Sequence, residues 1–376
     1  MTARPEIPVA ARPDILVAGG GLAGAAAAVL LAQAGRDVLL LEREAVAKDK
    51  VCGEFLSYEA VATLERLGLN VAGLGGEVID HVRLVRGRRE VRAPLPFRGL
   101  GISRQVLDEA VLALAAQAGA QVRRGVAVRR ISDGIVETAA ENFGPKTLLL
   151  ATGKHETRGL ARPASPGTLV GFKTYFRLQA AERDKLSGHV ELILFAGGYA
   201  GLQPVEGGRA NLCLVIEAAV LRRLGSWPEV LATVQESCPR LAARLRGAEQ
   251  LRAPLSIARM PYGFVHRHAR DDAANCYRLG DQAAVIPSFT GDGMAIALHS
   301  AALAARCIIA GEGAETYHRR LAGQVAGQIR RAGWLDRARS IPFLGGAWFY
   351  GIEKFPASIG FLAARTRLEE KEAAAF

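Results

Sequence analysis

Apolar residues fall into short runs and helical repeats from residue 14 onward. The continuous apolar run Ile15–Ala18 predicts a buried strand, and Val38–Leu41 predicts a second one. The Ala- and Leu-rich segment between them, up to Gly35, predicts a helix. Strands that are apolar on both faces and joined by a helix indicate an α/β fold with a parallel sheet. Residues 1–13 show little pattern and predict a loose tail.

The rest of the chain changes between helix and strand patterns. Ser57 and Ser103 are placed to cap helices that run to Leu67 and Gly119. Segment 168–216 shows alternating strands with Gly-rich turns, which predict an antiparallel sheet; helices follow around 227–246. The predicted strands are a hairpin of Val78–Val85 and Glu90–Ala93, then Thr147–Ala151, Leu169–Leu178, Val190–Phe195, Tyr199–Pro204 and Ala210–Ile216.

These patterns predict two interleaved domains. A Rossmann-like domain comprises residues 14–77, 98–165 and 275–315, and a smaller antiparallel-sheet domain for the substrate comprises 78–97 and 166–274. The tail 1–13 precedes them, and a helical C-terminal region, 316–376, follows.

Three glycines stand between the first predicted strand and its helix. Gly19, Gly21 and Gly24 have G-x-G-x-x-G spacing, which gives a tight turn, close access for a pyrophosphate and close helix–sheet packing. The helix N-terminus offers free N–H groups to phosphates. Glu42 ends the second predicted strand, where a carboxylate can accept hydrogen bonds from ribose hydroxyls. Together they predict a dinucleotide site.

Composition narrows the class of protein. The 376 residues are 50% hydrophobic, enough for a sizeable core, and no stretch after the glycine motif is long and apolar enough to span a bilayer. The five cysteines are scattered without metal-type spacing, which predicts reduced thiols, a cytoplasmic protein and no metal site. The net charge of +11 is spread along the chain, so we expect a soluble enzyme that does not bind nucleic acid.

Further motifs make the chain resemble the FAD-dependent geranylgeranyl-reductase-like flavoproteins, within the group that includes para-hydroxybenzoate hydroxylase. Lys50-Val-Cys-Gly-Glu54 resembles the loop that reaches the flavin and substrate, and Ile102–Asp108 the segment whose arginine contacts FAD. Leu279–Pro287 resembles the second FAD fingerprint, and Gly291–Met294 the helix start beside the isoalloxazine. The resemblance implies FAD, with NADH or NADPH as the reductant. The cofactor-binding residues that the motifs and the resemblance indicate are Gly19, Gly21, Leu22, Ala23, Gly24, Glu42, Arg43, Cys52, Arg104, Ala151, Thr152, Gly153, Gly280, Asp281, Pro287, Gly291, Asp292, Gly293 and Met294.

Two departures from the family pattern bear on the substrate. Relatives that reduce isoprenoids show G-Y-x-W-x-F-P, whereas this chain has Gly198-Tyr-Ala-Gly-Leu-Gln-Pro204. The loss of two aromatic residues favours a compact, more polar substrate. Relatives also read A-D-G where this chain has Ala151-Thr-Gly153, so the route of the nicotinamide stays open.

Several side chains are candidates for chemistry. Cys52 could act near the flavin or be an inert loop thiol. Glu54 could be an acid, although an exposed loop carboxylate is the favoured interpretation. His266 and His268 favour a surface loop over a general base, because no carboxylate partner is visible in the sequence, and His299 predicts a packed helix residue. A substrate pocket could be lined by Tyr175, Phe195, Tyr199 and Phe289, although aromatic residues on strands are more often core.

Three functions remain open at this point. The favoured hypothesis is an FAD-dependent monooxygenase of a small aromatic or polyketide-like compound that uses NAD(P)H and O2. The alternative is a flavin-dependent reductase of C=C bonds in an isoprenoid lipid. A dehydrogenase or non-redox nucleotide-binding module is disfavoured by the second fingerprint at Gly280-Asp281. The aromatic C-terminal patch, Trp348–Phe355, could touch a membrane, but packing on the protein is favoured; we expect a monomer or homodimer.

Overall fold

The computed structural model describes residues 9–162, 167–269, 272–340 and 342–367. The strands are β1 Val9–Ala11, β2 Ile15–Ala18, β3 Val38–Glu42, β4 Phe55–Leu56, β5 Glu77–Arg86, β6 Arg89–Gly101, β7 Gln121–Arg124, β8 Arg130–Ser132, β9 Ile135–Glu137, β10 Asn142–Phe143, β11 Thr147–Leu150, β12 Leu169–Arg177, β13 Gly188–Phe195, β14 Gly198–Val205, β15 Arg209–Glu217, β16 Glu249–Gln250, β17 Leu255–Ala258 and β18 Cys276–Arg278. The helices are α1 Leu22–Gln33, α2 Tyr58–Arg66, α3 Arg104–Gln117, α4 Ala180–Leu186, α5 Ala218–Leu224, α6 Trp227–Ser237, α7 Pro239–Leu245, α8 Gly293–Ile309, α9 Ala314–Ser340, α10 Pro342–Lys354 and α11 Ala357–Arg365.

A parallel sheet of five strands, in the order β18-β11-β2-β3-β7, forms the first layer. Every residue of β2 is buried, as expected for a strand covered on both faces. The helices α1, α3 and α8 pack on one side of it through a core rich in alanine. The predicted α/β class and the order strand, glycine turn, helix and strand are confirmed.

A second sheet of nine strands has the order β16-β12-β15-β14-β13-β5-β6-β4, with β17 beside β12. Residues alternate between its two faces. One face, which includes Phe172, Leu202 and Leu212, packs under α6 and α7. The opposite face meets the loop after β3 and carries the side chains described below. The predicted antiparallel strands are confirmed, the hairpin β5–β6 is longer than predicted, and α4 was missed.

Both ends of the described chain pack against the rest of the protein, and the N-terminal end does so where the sequence predicts a loose tail. Residues 9–11 form β1, which pairs with β10 in a four-stranded sheet with β9 and β8, so the prediction of a loose tail is wrong there; residues 1–8 lie outside the described part. In the aromatic C-terminal patch, Phe349 and Ile352 are buried against the protein, whereas Tyr350 and Phe355 are exposed. Within the described residues, no helix combines the length and apolarity needed to cross a membrane.

Candidate active site

The turn from β2 into α1 is built by close backbone contacts. Gly19 has φ +110°, and a Cβ there would lie 2.5 Å from the carbonyl oxygen of Ala151. A Cβ on Gly24 would lie 2.0 Å from the carbonyl oxygen of Gly19. Among the described residues no side chain caps α1 and no acid lies in its first turn, so the helix N-terminus is available to an anion.

Two cations stand beside this helix terminus. A Cβ on Gly21 would lie 3.3 Å from Lys50 Nζ and 3.8 Å from a guanidinium nitrogen of Arg104. Both side chains donate to the buried carboxylate of Asp108, Lys50 at 2.7 Å and Arg104 at 2.8 and 3.0 Å. Burial alone would raise the pKa of Asp108, but Arg104 and Lys50 outweigh it and hold the pKa below its usual value. Two oriented cations and free helix N–H groups fit the pyrophosphate of FAD.

Glu42 at the end of β3 also shapes the turn. Its carboxylate accepts the Gly20 N–H at 2.6 Å and the Glu44 N–H at 3.0 Å. These bonds fix the glycine turn and leave further acceptor capacity for a ribose. The neighbouring Arg43 guanidinium hydrogen-bonds to His155 at 2.9 Å.

The second predicted fingerprint lies against the first. A Cβ on Gly280 would be 3.2 Å from Ala23 Cβ and 3.6 Å from Ala297 Cβ, so it meets both α1 and α8. The Gly280 N–H donates to Ser300 Oγ at 2.9 Å. The structure thus brings together motifs that are far apart in sequence. The remaining predicted cofactor residues have these positions along the chain: Leu22 in the first turn of α1, Ala151, Thr152 and Gly153 after β11, Asp281 after β18, Pro287 and Gly291 beside a short turn, and Asp292, Gly293 and Met294 at the start of α8.

The loop that contains Cys52 is clamped onto the nine-stranded sheet. Asn211 on β15 donates to the carbonyl oxygens of Cys52 at 3.1 Å and Gly53 at 2.8 Å. Lys154 donates to the Val51 carbonyl at 3.0 Å. The sheet therefore sets the position of the loop that reaches from the Rossmann-like domain.

Glu54 lies at the centre of a buried polar network. It is fully buried and accepts hydrogen bonds from Lys173 Nζ, from Tyr175 Oη at 2.8 Å and from the Arg104 N–H at 2.7 Å. The favoured prediction of an exposed carboxylate is wrong, because the cation that pairs with it comes from a distant strand. Burial raises the pKa of Glu54, while Lys173 opposes that shift. Tyr175 Oη also lies 2.9 Å from Asp49 Oδ1, so Tyr175 belongs to this network and not to an open pocket.

Three hydroxyl groups meet at the turn that precedes α8. Tyr199 Oη and Tyr262 Oη both hydrogen-bond to Ser288 Oγ, the second at 2.6 Å. The Phe289 ring lies 5.3 Å from that of Tyr199 and 6.4 Å from that of Trp348. Of the predicted pocket residues, Tyr199 and Phe289 come together, whereas Phe195 packs in the core on the other face of the sheet.

The two positions that depart from the family pattern share the face of Tyr199. Around Gly201, a Cβ would meet only the Cys213 carbonyl oxygen and a Leu192 methyl, both at 3.9 Å. Gln203 is buried, and its Nε2 has no hydrogen-bond partner among the described residues. The face therefore offers space and a polar donor where relatives place aromatic rings.

Asp292 occupies the N-cap position of α8, although its side chain makes no capping hydrogen bond. It is fully buried and forms an ion pair with Arg367, which follows α11. Burial raises the pKa of Asp292 to about 7, with a further contribution from Glu59 and against the effect of Arg367. His299 is buried in α8, as predicted.

His266 and His268 are not an isolated surface loop. His266 Nε2 lies 3.2 Å from Asp272 Oδ2, and His268 Nδ1 lies 3.8 Å from the same oxygen. His318 of α9 completes the cluster. The carboxylate that the sequence interpretation found missing is therefore Asp272, four residues after His268. Burial lowers the pKa of His266 to about 4 and that of His318 to about 3.

Comparison with known proteins identifies the cofactor class. Residues 12–140 match the family described as an FAD binding domain. The menaquinone reductase of Mycobacterium tuberculosis (strain H37Rv) is 30% identical over 322 residues, 78% of this chain and 76% of that protein. The digeranylgeranylglycerophospholipid reductase 2 of Methanopyrus kandleri is 29% identical over 227 residues, 55% of each chain.

Solved structures share the fold at low sequence identity. The flavin-dependent brominase Bmp2 superposes with a TM-score of 0.78 and 18% identity, covering 95% of this chain and 94% of that one. The probable FAD-dependent monooxygenase pqsL of Pseudomonas aeruginosa gives a TM-score of 0.70 and 17% identity, covering 91% and 100%. These likenesses establish the architecture alone.

Proposed function

Because the chain belongs to the FAD-dependent oxidoreductases that include the menaquinone reductases, we propose that it reduces a C=C bond in the isoprenoid chain of a lipid such as a prenylated quinone. The observation that carries this proposal is the 30% identity to a menaquinone reductase over 78% of the chain. Similarity to a digeranylgeranylglycerophospholipid reductase points to the same class of substrate. The proposal thus prefers the reductase over the monooxygenase that the sequence interpretation favoured.

FAD, when bound and reduced, supplies the hydride for such a reaction. The chain's residues bind and orient it. When FAD is bound, the α1 terminus, Lys50 and Arg104 would hold its pyrophosphate, and the N–H groups of Gly293 and Met294 at the start of α8 would stabilise negative charge at the flavin edge. Both motifs converge near Gly280, which supports one continuous site.

The substrate surface excludes water beside that site. Tyr199, Phe289 and Trp348 belong to one apolar cluster with buried aliphatic residues of β13 and β15. An isoprenoid chain would pack favourably against such a surface, because the apolar surfaces of the chain and of the protein would both be removed from contact with water. Relatives have aromatic residues at positions 201 and 203. Here Gly201 leaves space, and the amide nitrogen of Gln203, unpaired among the described residues, is free to donate to the polar ring of a quinone.

Addition of hydride to one alkene carbon requires a proton at the other. Tyr262 and Tyr199 hold hydroxyl protons at Ser288, next to Phe289. Burial raises the pKa of Tyr262, against the effect of the Lys154 ammonium, so its hydroxyl stays protonated at neutral pH. We assign proton donation to this hydroxyl group.

The test is anaerobic incubation of dithionite-reduced, FAD-loaded protein with menaquinone. Expected are reoxidation of the flavin and a product heavier by two hydrogens in its isoprenoid chain, detected by mass spectrometry. A Tyr262→Phe variant should retain FAD and lose most of this activity. A product reduced only in the quinone ring, or no product, would refute double-bond reduction.

A monooxygenase of a more polar compound remains the second candidate, because the face around Gln203 is partly polar. Rapid mixing of reduced protein with oxygenated buffer and an aromatic substrate tests it. Incorporation of one oxygen atom into the product would favour this alternative over the reductase.

A further inference from the structure

Four side chains that could ligate a metal ion meet at the edge of the parallel sheet. His266, His268 and Asp272 lie in the segment between β17 and the edge strand β18, and His318 comes from α9. One potential ligand atom of each histidine lies within 4.8 Å of the others. The proposed reaction uses none of these four residues.

The distances from the Asp272 carboxylate to the two histidine nitrogens are close to those between ligand atoms around one metal ion. Zinc bonds of about 2.0–2.1 Å in tetrahedral geometry place neighbouring ligand atoms about 3.3 Å apart. The Asp272 Oδ2 atom lies 3.2 Å from His266 Nε2 and 3.8 Å from His268 Nδ1. His266 and His268 follow the isolated β-bridge at Val265, and both imidazole rings face the same carboxylate oxygen of Asp272.

The nitrogen atoms that face this point lack hydrogen-bond partners. His266 Nε2, His268 Nδ1 and His318 Nδ1 are all buried and make no hydrogen bond of good geometry among the described residues, although the first two face the Asp272 carboxylate. Buried polar atoms are rarely left in this way, because each loses its interaction with water. Three such nitrogen atoms face one another and the Asp272 carboxylate. This arrangement indicates that a bound group, such as a metal ion, belongs between them.

The role of His318 follows from its other ring nitrogen. The Arg278 N–H donates to His318 Nε2 at 3.1 Å, which places the proton of the neutral ring on Nδ1. A protonated Nδ1 cannot ligate a metal ion, but it can donate to a ligand. His318 is therefore a positioning residue and not a ligand.

We propose that His266 Nε2, His268 Nδ1 and Asp272 bind one divalent transition-metal ion such as Zn²⁺, with His318 Nδ1–H donating to the Asp272 carboxylate or to the fourth ligand. Two neutral imidazoles and a carboxylate are a donor set that suits zinc. The carboxylate charge offsets the neighbouring Arg278 cation.

A groove of about 540 Å³ is lined by His268 and His318, and its other charged lining residues are Arg267, Arg319, Arg330 and Glu315. It gives an ion access to the cluster. Its arginines favour a small anion or a water molecule as the fourth ligand.

The test uses FAD-loaded full-length protein, stripped with EDTA and then dialysed against Zn²⁺ or Co²⁺. We expect one equivalent of metal per chain and visible absorption bands of four-coordinate Co²⁺. His268→Asn and Asp272→Asn should each weaken binding by about 100-fold or more, and His318→Phe by about 10- to 100-fold, the range for partners that orient ligands. His189→Asn, on β13 of the other sheet, is the matched control and should bind as the unmodified protein does.

Retained FAD absorbance shows that each variant is folded. The proposal is overturned if the unmodified protein takes up well under one equivalent, or if His268→Asn binds Co²⁺ with unchanged affinity and spectrum. Equal losses in His268→Asn and His189→Asn would also overturn it, because binding would then not be local to the cluster. None of these outcomes depends on the proposed lipid reaction.

Discussion

Replacing Lys173 by methionine would leave the Glu54 carboxylate buried without its cation. Lys173 is 1% exposed and Glu54 is 0% exposed, so water cannot replace the lost partner. Breaking such a pair costs about 3–5 kcal/mol. Glu54 keeps its hydrogen bonds from Tyr175 and the Arg104 N–H, so we expect the lower end, about 3 kcal/mol.

A double-mutant cycle separates the pair from the rest of the network. Glu54→Gln keeps the shape of the side chain and should also destabilise the protein, because the buried Lys173 then keeps only Asp49, 3.9 Å away, as its counter-charge. The double variant removes both charges, so its cost should fall below the sum of the two single costs by about 2 kcal/mol or more. Urea unfolding of the FAD-loaded protein, followed by circular dichroism and by flavin fluorescence, measures each free energy.

The control is Lys185→Met on α4. Lys185 is an exposed partner of Glu182, which also pairs with Arg244, so the change in stability should stay below about 0.5 kcal/mol. Additive single costs in the double variant, or a Lys173→Met cost no larger than that of Lys185→Met, would refute a coupled buried pair.

Three further predictions concern the flavin site. Gly24→Ala places a methyl group 2.0 Å from the Gly19 carbonyl oxygen, so it should cost about 3 kcal/mol and yield largely colourless protein; Gly333→Ala in α9, where the new methyl group meets nothing within 4 Å, should keep its flavin absorbance. Burial raises the pKa of folded Asp292 to about 7 from an unfolded value of 3.8, so the folded state binds the extra proton and stability should fall as pH rises from about 4 to about 7. Asp292→Asn should remove this contribution, about 1.4 kcal/mol per pH unit, in unfolding measured across that range; an unchanged slope would contradict the assignment. Gly201→Trp should fill the space beside Leu192 and lower kcat/KM for a prenylated quinone about tenfold or more at full FAD occupancy, measured by substrate turnover, whereas unchanged turnover would show that the substrate does not use this space.

Local features made the flavin turn predictable from sequence. The strand, the glycine spacing and the helix follow one another within 20 residues, and each has its own physical signature. The resemblance added Arg104 and Asp281 as cofactor residues, and their contact with FAD stays a prediction. The structure explains why Gly24 is required, since that position contacts the Gly19 carbonyl directly.

Burial of the loop carboxylate was not predictable in the same way. Glu54 and Lys173 are 119 residues apart, and only the sheet register places Lys173 and Tyr175 beneath the loop. The histidine cluster is an intermediate case. The sequence interpretation found no carboxylate for His266 and His268 and overlooked Asp272 four residues further on, and the third histidine comes from the distant helix α9.

The sheet face that carries the substrate surface also holds the flavin loop. Asn211 clamps the Cys52 loop from β15, and Gly201 lies opposite Cys213 on the neighbouring strand. A substitution on this face that displaces one strand therefore changes the position of the Cys52 loop and the shape of the substrate space together, because adjacent strands are closely packed. Loss of turnover in such a variant bears on substrate recognition only when FAD occupancy is unchanged. Gly201 is suited to such a test, since a Cβ there would meet the Cys213 carbonyl oxygen and a Leu192 methyl group at 3.9 Å and no atom of the loop within 4 Å.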